Sequence, residues 1–122
     1  MLTEWSAEGS AGDRAALELA LTVTPADDGP VIVLDGGLVC GTADRLLAVA
    51  DELLDEGAAL TIDLACLALL DSAGVNVLLT VVDRAETRAM DLRLHASPTA
   101  ADLLERTGVT AGIGGRATLT VG

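Results

Sequence analysis

Several residue types that enzymes rely on are scarce in this sequence or missing from it. There is no lysine, and His95 is the only histidine. The lack of lysine excludes a P-loop and a Schiff-base nucleophile. It also counts against a phosphoacceptor-aspartate receiver, which has a similar layout but normally carries a lysine near its acid. A serine hydrolase would use Gly-x-Ser-x-Gly and a histidine base, whereas the sequence around Ser72 is Leu-Asp-Ser-Ala-Gly. The sequence therefore predicts a protein that is not an enzyme, with no catalytic residues.

Aromatic residues are nearly absent as well, since Trp5 is the only one. The core must then be built from Leu, Val, Ile and Ala. A chain of 122 residues can bury such a core without disulfides or metal ions to stabilise it. The two cysteines, Cys40 and Cys66, do not have the spacing of zinc ligands. We expect them to be reduced, buried small hydrophobes, and we expect no metal and no cofactor.

Positive charge is in short supply. Seven arginines stand against 19 acidic residues, which gives a net charge of −12. Such a surface repels the phosphates of nucleic acids and the headgroups of anionic membranes, so neither is an expected partner. It favours solubility and attraction to a protein with a basic patch.

Long hydrophobic runs are missing too. Asp63 and Asp71 interrupt the longest apolar stretches, and none approaches the roughly 20 residues that cross a bilayer. Residues 1–14 are rich in Ser, Gly, Ala and acids, which predicts a flexible leader without the apolar segment of a signal peptide. We therefore expect one cytoplasmic domain over residues 15–122.

The patterns that are present predict a β-hairpin followed by alternating helices and strands. Strands are predicted at 16–24, 31–35, 59–65 and 91–95, with a short one at 116–121, and helices are predicted after Thr42, Ser72 and Ser97. In the second helix, Val75, Leu78, Leu79 and Val82 recur at the spacing of one apolar face. Such an order predicts an α/β domain in which crossover helices pack on a mixed sheet.

Asp71 and Ser72 stand between two apolar runs in the segment LLDSAGVNVLL, residues 69–79. One interpretation is structural: Ser72 caps the following helix, and Asp71 suits the positive end of its dipole. The other is functional: a serine at this position is exposed at the carboxyl edge of the sheet, where α/β folds carry their sites. A phosphate there would add roughly −1.5 to −2 charge and repel a docked partner without unfolding the domain.

Two segments, DLACLALLDSAGVNVLL (63–79) and HASPTAADLLERTGV (95–109), resemble the STAS family of bacterial anti-sigma factor antagonists. The resemblance covers about residues 16–110 and implies a STAS-like single domain. It implies that Ser72 is phosphorylated by an anti-sigma factor that is itself a serine kinase, that phosphorylation ends binding, and that a phosphatase reverses it. The partner-binding residues expected on this basis are Val39, Thr42, Asp71, Ser72, Gly74 and Asn76.

The sequence departs from the family pattern in three places. The second hydroxyl residue of the motif is Ala73, the usual Glu and Asp of the first loop are Gly37 and Val39, and the tail after Gly108 is short for the family's last helix. The lost carboxylates leave a second function open, a non-phosphorylated STAS scaffold in a transport or stress-signalling assembly. A small hydrolase or transferase using Ser72 is a third alternative, for which Asp71 would be a poor base at an ordinary pKa. The oligomeric state is open, with a homodimer among the alternatives.

Overall fold

Five strands form one mixed sheet. The computed structural model describes residues 19–57, 59–113 and 115–122. The strands are β1 (Leu19–Thr24), β2 (Val31–Leu38), β3 (Leu60–Leu70), β4 (Leu92–Ala96) and β5 (Ala117–Val121), and they lie in the order β1-β2-β3-β4-β5. The first pair is antiparallel, and every other neighbouring pair is parallel. The predicted hairpin, the mixed sheet and the short final strand are confirmed.

Helices connect the parallel strands. They are α1 (Ala43–Asp55), α2 (Ser72–Thr87), α3 (Pro98–Arg106) and the single turn α4 (Val109–Gly112). The predicted start of α3 is confirmed, because the Ser97 hydroxyl accepts a hydrogen bond of 3.1 Å from the Ala100 N–H and Pro98 is the first helical residue. None of the helices in the described ranges is both long and apolar enough to cross a membrane.

The hydrophobic core lies on one face of the sheet. Ile32, Ile62 and Leu94 are register partners on adjacent strands, and all three are fully buried. They share one core with buried aliphatic residues of α1, α2 and α3. One residue further along the same strands are Val33, Asp63 and His95, which are also register partners. All three are half-buried, and none of them belongs to the hydrophobic core of the described residues. His95 is thus half-exposed.

Two strands are longer than the sequence predicts. β2 continues through Gly36 and Gly37 to Leu38, and β3 continues to Leu70. The two glycines favour a loop locally, but both pair with β3, with register shifts before Asp35 and between the glycines. As a result, β2 and β3 end side by side at the carboxyl edge of the sheet.

The apolar face of α2 is rotated from the predicted one. Val77 and Val81 are buried along with Leu78 and Val82, whereas Val75 and Leu79 are only partly buried. Val75 therefore lies in the first turn of α2 with part of its side chain accessible at the surface of the domain. The predicted leader, 1–14, and the start of the first predicted strand lie outside the described residues.

Candidate functional site

Asp71 joins two parts of the chain at the carboxyl edge of the sheet. It is the N-cap of α2, and its Oδ1 accepts a hydrogen bond of 3.1 Å from the Gly74 N–H. Its Oδ2 accepts a hydrogen bond of 3.0 Å from the N–H of Cys40, in the loop between β2 and α1. One carboxylate therefore caps the helix and also holds the loop Val39–Thr42 against it.

These hydrogen bonds also set the charge of the site. The N–H of Cys40, followed by that of Gly74, holds the pKa of the Asp71 carboxyl below its usual value. Donors that point at the ionised form stabilise it. Asp71 is thus a fixed negative charge at neutral pH, and it is a poor candidate for a proton-transferring base.

Ser72 is the first residue of α2, and its side chain is exposed. The cap that the sequence suggests for Ser72 is supplied by Asp71 instead, so the structural interpretation of this serine is wrong. Among the hydrogen bonds of the described residues, none uses the Ser72 hydroxyl. A group that approaches this hydroxyl would therefore break no hydrogen bond among the described residues.

Thr42 shapes the loop rather than capping α1. It occupies the N-cap position without a side-chain cap bond. Its hydroxyl donates to the Gly37 carbonyl at 2.7 Å and accepts from the Val39 N–H at 3.0 Å. The predicted interface residues Val39 and Thr42 are therefore near Asp71, but the Thr42 hydroxyl is already used within the loop.

Gly74 is buried where α2 meets the end of β2. A Cβ built on this residue would overlap the Leu38 carbonyl oxygen and lie 2.7 Å from Cδ1 of Leu70. Gly74 is among the residues predicted to contact a partner, which stays a prediction, and within the fold it has a packing role. Its lack of a side chain lets the helix start close enough for Asp71 to reach Cys40.

Two open grooves flank Asp71. The first, here called the loop groove, has a volume of about 510 Å³ and is lined by Val39, Cys40, Gly41, Thr42, Leu69, Leu70 and Asp71. The second, the helix groove, has a volume of about 470 Å³ and is lined by Leu70, Asp71, Ser72, Val75, Asn76 and Thr107. The structure thus places Asn76 in the same groove as Ser72.

Leu69 and Thr107 also line the grooves, although neither was predicted to belong to the site. Leu69 lies within an apolar run that reads as strand interior, yet its side chain is 37% exposed. Thr107 follows α3, and its hydroxyl donates to the Leu103 carbonyl at 2.8 Å, a common arrangement at a helix end. Thr107 reaches the site because the end of α3 packs near the start of α2, which no local pattern indicates. Leu69 is only two residues before Asp71, but nothing in its apolar run indicates that it is exposed.

The cysteines are not buried. Both Cys40 and Cys66 are free and exposed, so the prediction of two buried small hydrophobes is wrong. Cys40 is in the exposed loop, and Cys66 is in the part of β3 where the register with β2 shifts. Within the described residues, no group of three or more His, Cys, Asp and Glu side chains is placed to hold a metal ion.

The sheet order and the crossover helices define an α/β domain with a mixed five-stranded sheet, and Ser72 is exposed at the start of α2. A family model described as "Mlab, STAS domain" matches residues 21–118. The chain therefore belongs to the STAS domain family, and its predicted fold class is confirmed. No curated protein matches the chain.

Solved structures have the same fold. An anti-sigma factor antagonist from Mycobacterium paratuberculosis is 21% identical with a TM-score of 0.67, covering 77% of this chain and 81% of its own. The anti-sigma factor antagonist SpoIIAA in its unphosphorylated form is 21% identical with a TM-score of 0.63, covering 83% and 88%. The Bacillus cell fate determinant SpoIIAA in its phosphorylated form is 21% identical with a TM-score of 0.60, covering 83% and 91%.

Proposed function

We propose that this protein is a cytoplasmic anti-sigma factor antagonist, which binds an anti-sigma factor serine kinase and is switched off by phosphorylation of Ser72. The observation that carries the proposal is the exposed hydroxyl of Ser72 at the first residue of α2, beside two open grooves. Similar folds in solved anti-sigma factor antagonists, including SpoIIAA in both its unphosphorylated and its phosphorylated forms, support the same role.

Phosphorylation of Ser72 changes the surface without requiring a change of fold. Asp71 caps α2 and ties it to the loop, so the scaffold does not depend on the Ser72 hydroxyl. A phosphate adds roughly −1.5 to −2 charge next to the Asp71 carboxylate, on a chain whose net charge is already −12. A partner attracted by the acidic surface would meet a new hydrated dianion at the contact, and burying it would cost binding energy.

A second candidate function is a non-phosphorylated STAS scaffold in a transport or stress-signalling assembly. The lack of carboxylate side chains at the end of β2 and in the loop after it favours this function. Gly37 is buried, Val39 is apolar and half-buried, and neither offers the carboxylate expected from the family pattern. In this alternative the grooves would hold a constant partner, and Ser72 would remain unmodified.

Labelling with ATP distinguishes the two functions. The full chain is incubated with ATP and the anti-sigma factor kinases encoded in the same genome, phosphate is located by mass spectrometry, and binding is followed by calorimetry. The switch predicts one phosphate on Ser72, none in Ser72→Ala, and normal labelling in the matched variant Ser97→Ala. Binding by these kinases without any phosphate on Ser72 would contradict the switch and support the scaffold.

A phosphatase that acts on labelled protein is the remaining partner in the proposal. We expect its action to restore binding to the level of untreated protein, because the backbone contacts of Asp71 do not involve the phosphorylated oxygen. Incomplete recovery from fully dephosphorylated protein would contradict a reversible switch.

A further inference from the structure

The loop groove combines apolar walls with an exposed leucine. The large hydrophobic side chains exposed in the described ranges are Val23, Leu69 and Val121. Of these, Leu69 lines a groove next to the proposed site, with Val39 and Leu70 beside it. An exposed leucine by itself needs no explanation, but apolar side chains gathered around a concave surface are typical of binding sites.

The polar groups of this groove are already used within the fold. Both Asp71 carboxylate oxygens accept backbone hydrogen bonds, one of them from Cys40, and the Thr42 hydroxyl donates to the Gly37 carbonyl. Each Asp71 oxygen already accepts one backbone hydrogen bond, which leaves fewer lone pairs of the carboxylate for an arginine or lysine entering the groove. An aliphatic side chain would lose little water and would contact Val39, Leu69 and Leu70.

The surroundings of the groove are acidic. Asp44 is exposed in the first turn of α1, two residues after Thr42 in the groove wall, and Asp35 is exposed on β2. The arginines of the described part of the chain are engaged elsewhere. Arg45 donates to the Leu19 carbonyl at 2.7 Å, and five others pair with carboxylates: Arg84, Arg88, Arg93, Arg106 and Arg116. Among the described residues near the groove, the three acids Asp35, Asp44 and Asp71 outnumber the one arginine, Arg45, so the charge there is negative and complements a basic surface.

We propose that the loop groove recognises an aliphatic side chain of the partner protein, carried on a segment whose flanking residues are basic. The identity of that partner rests on the proposed function. The groove is distinct from Ser72, which lines the helix groove, but Leu70 and Asp71 belong to both. A single partner can thus fill the loop groove for affinity while lying over Ser72, where phosphate would repel it.

Small probes test the chemistry of the groove without a partner. Isobutanol mimics a leucine side chain and methylguanidinium mimics arginine, and each is titrated into the ¹⁵N-labelled full chain. We expect isobutanol to move the amide signals of Val39–Thr42 and Leu69–Asp71 to saturation, and Leu69→Ser or Val39→Ser to remove that response. The absence of a saturable response, equal shifts around Val23 and Val121, or saturation in this groove by methylguanidinium would overturn the proposal.

The partner protein tests the same surface in its proposed role. With an anti-sigma factor that binds the wild type, we expect Leu69→Ser to weaken binding about tenfold or more. The matched variant Val23→Ser, also an exposed apolar residue, should leave it within about twofold. Raising the ionic strength should weaken wild-type binding, because basic flanks are screened. Unchanged far-UV circular dichroism shows that each variant is folded.

The outcomes separate this proposal from the proposed function. If Leu69→Ser and Val39→Ser bind normally while phosphorylation of Ser72 abolishes binding, the groove proposal is overturned and the switch stands. If no anti-sigma factor binds the wild type, the proposed function fails, and the isobutanol titration still decides the chemistry of the groove.

Discussion

Replacing Ser72 by alanine tests whether its hydroxyl is free, and Ser97 provides a matched comparison within the same chain. Both serines stand at helix starts, but Ser97 is an N-cap whose hydroxyl accepts a hydrogen bond of 3.1 Å from the Ala100 N–H. Loss of such a cap costs about 1 kcal/mol, within a range of about 0.5 to 2. We expect this loss in the free energy of unfolding of Ser97→Ala.

Ser72→Ala should behave differently, because Asp71 caps α2 and the Ser72 side chain is exposed. Its free energy of unfolding should stay within about 0.5 kcal/mol of the wild type. For the described domain of roughly 100 residues, the Ser97→Ala loss corresponds to a fall in Tm of about 4–8 °C, whereas Ser72→Ala should show little change.

Urea unfolding followed by circular dichroism measures both variants, with equal slopes as the condition for comparing midpoints. A loss in Ser72→Ala as large as that in Ser97→Ala would refute the reasoning, since it would mean that the Ser72 hydroxyl supports the helix. Ser72→Asp extends the test, because its stability should shift by about 1 kcal/mol or less even though it carries a negative charge.

Three further predictions follow from the site. Gly74→Ala should lower the free energy of unfolding by about 1–3 kcal/mol through overlap with a backbone carbonyl; Gly112→Ala, whose Cβ would meet only the end of a leucine side chain, should cost less in the same urea experiment. The lowered pKa of Asp71 means that its stabilising effect is present above the ordinary value of 3.8 and is lost as the pH falls through the lower folded value. Asp71→Asn should therefore reduce the pH dependence of stability in that acidic window, and an unchanged acid profile would contradict the hydrogen bonds assigned to this carboxylate. Cys40 and Cys66 should both react with a thiol reagent in the native protein, and a thiol that reacts only after denaturation would contradict its exposure.

The order of the elements could be predicted from the sequence, because each has a local cause. Pro and Gly residues mark the hairpin turn, and Ser97 with Pro98 marks the start of α3. The lengths of β2 and β3 could not be predicted in this way. Gly36 and Gly37 favour a loop, and only pairing with residues of β3 some thirty positions later keeps them in a strand.

The position of the candidate site was predictable, but its internal arrangement was not. Asp71 and Ser72 are both good capping residues, and the choice between them depends on where the backbone becomes helical. Asp71 is extended, with φ −113° and ψ −172°, and Ser72 is already the first helical residue. The second partner of Asp71, the N–H of Cys40, is 31 residues away, so no local pattern could indicate it.

The surface around the site shows a similar limit. Cysteine is a residue type that is usually buried, and Leu69 lies in an apolar run that predicts a strand interior. Both cysteines and Leu69 are nevertheless exposed. Their exposure depends on how the end of β3 and the loop after β2 are placed in the folded domain. Sequence periodicity describes one element at a time and does not contain that relation.

The affinity for an anti-sigma factor kinase before and after phosphorylation of Ser72 tests the central claim most directly. We expect the unmodified protein to bind, and the phosphorylated protein to bind at least about tenfold more weakly while keeping its unfolding midpoint in urea. Equal affinity of the two forms, or loss of binding accompanied by loss of the fold, would contradict the account.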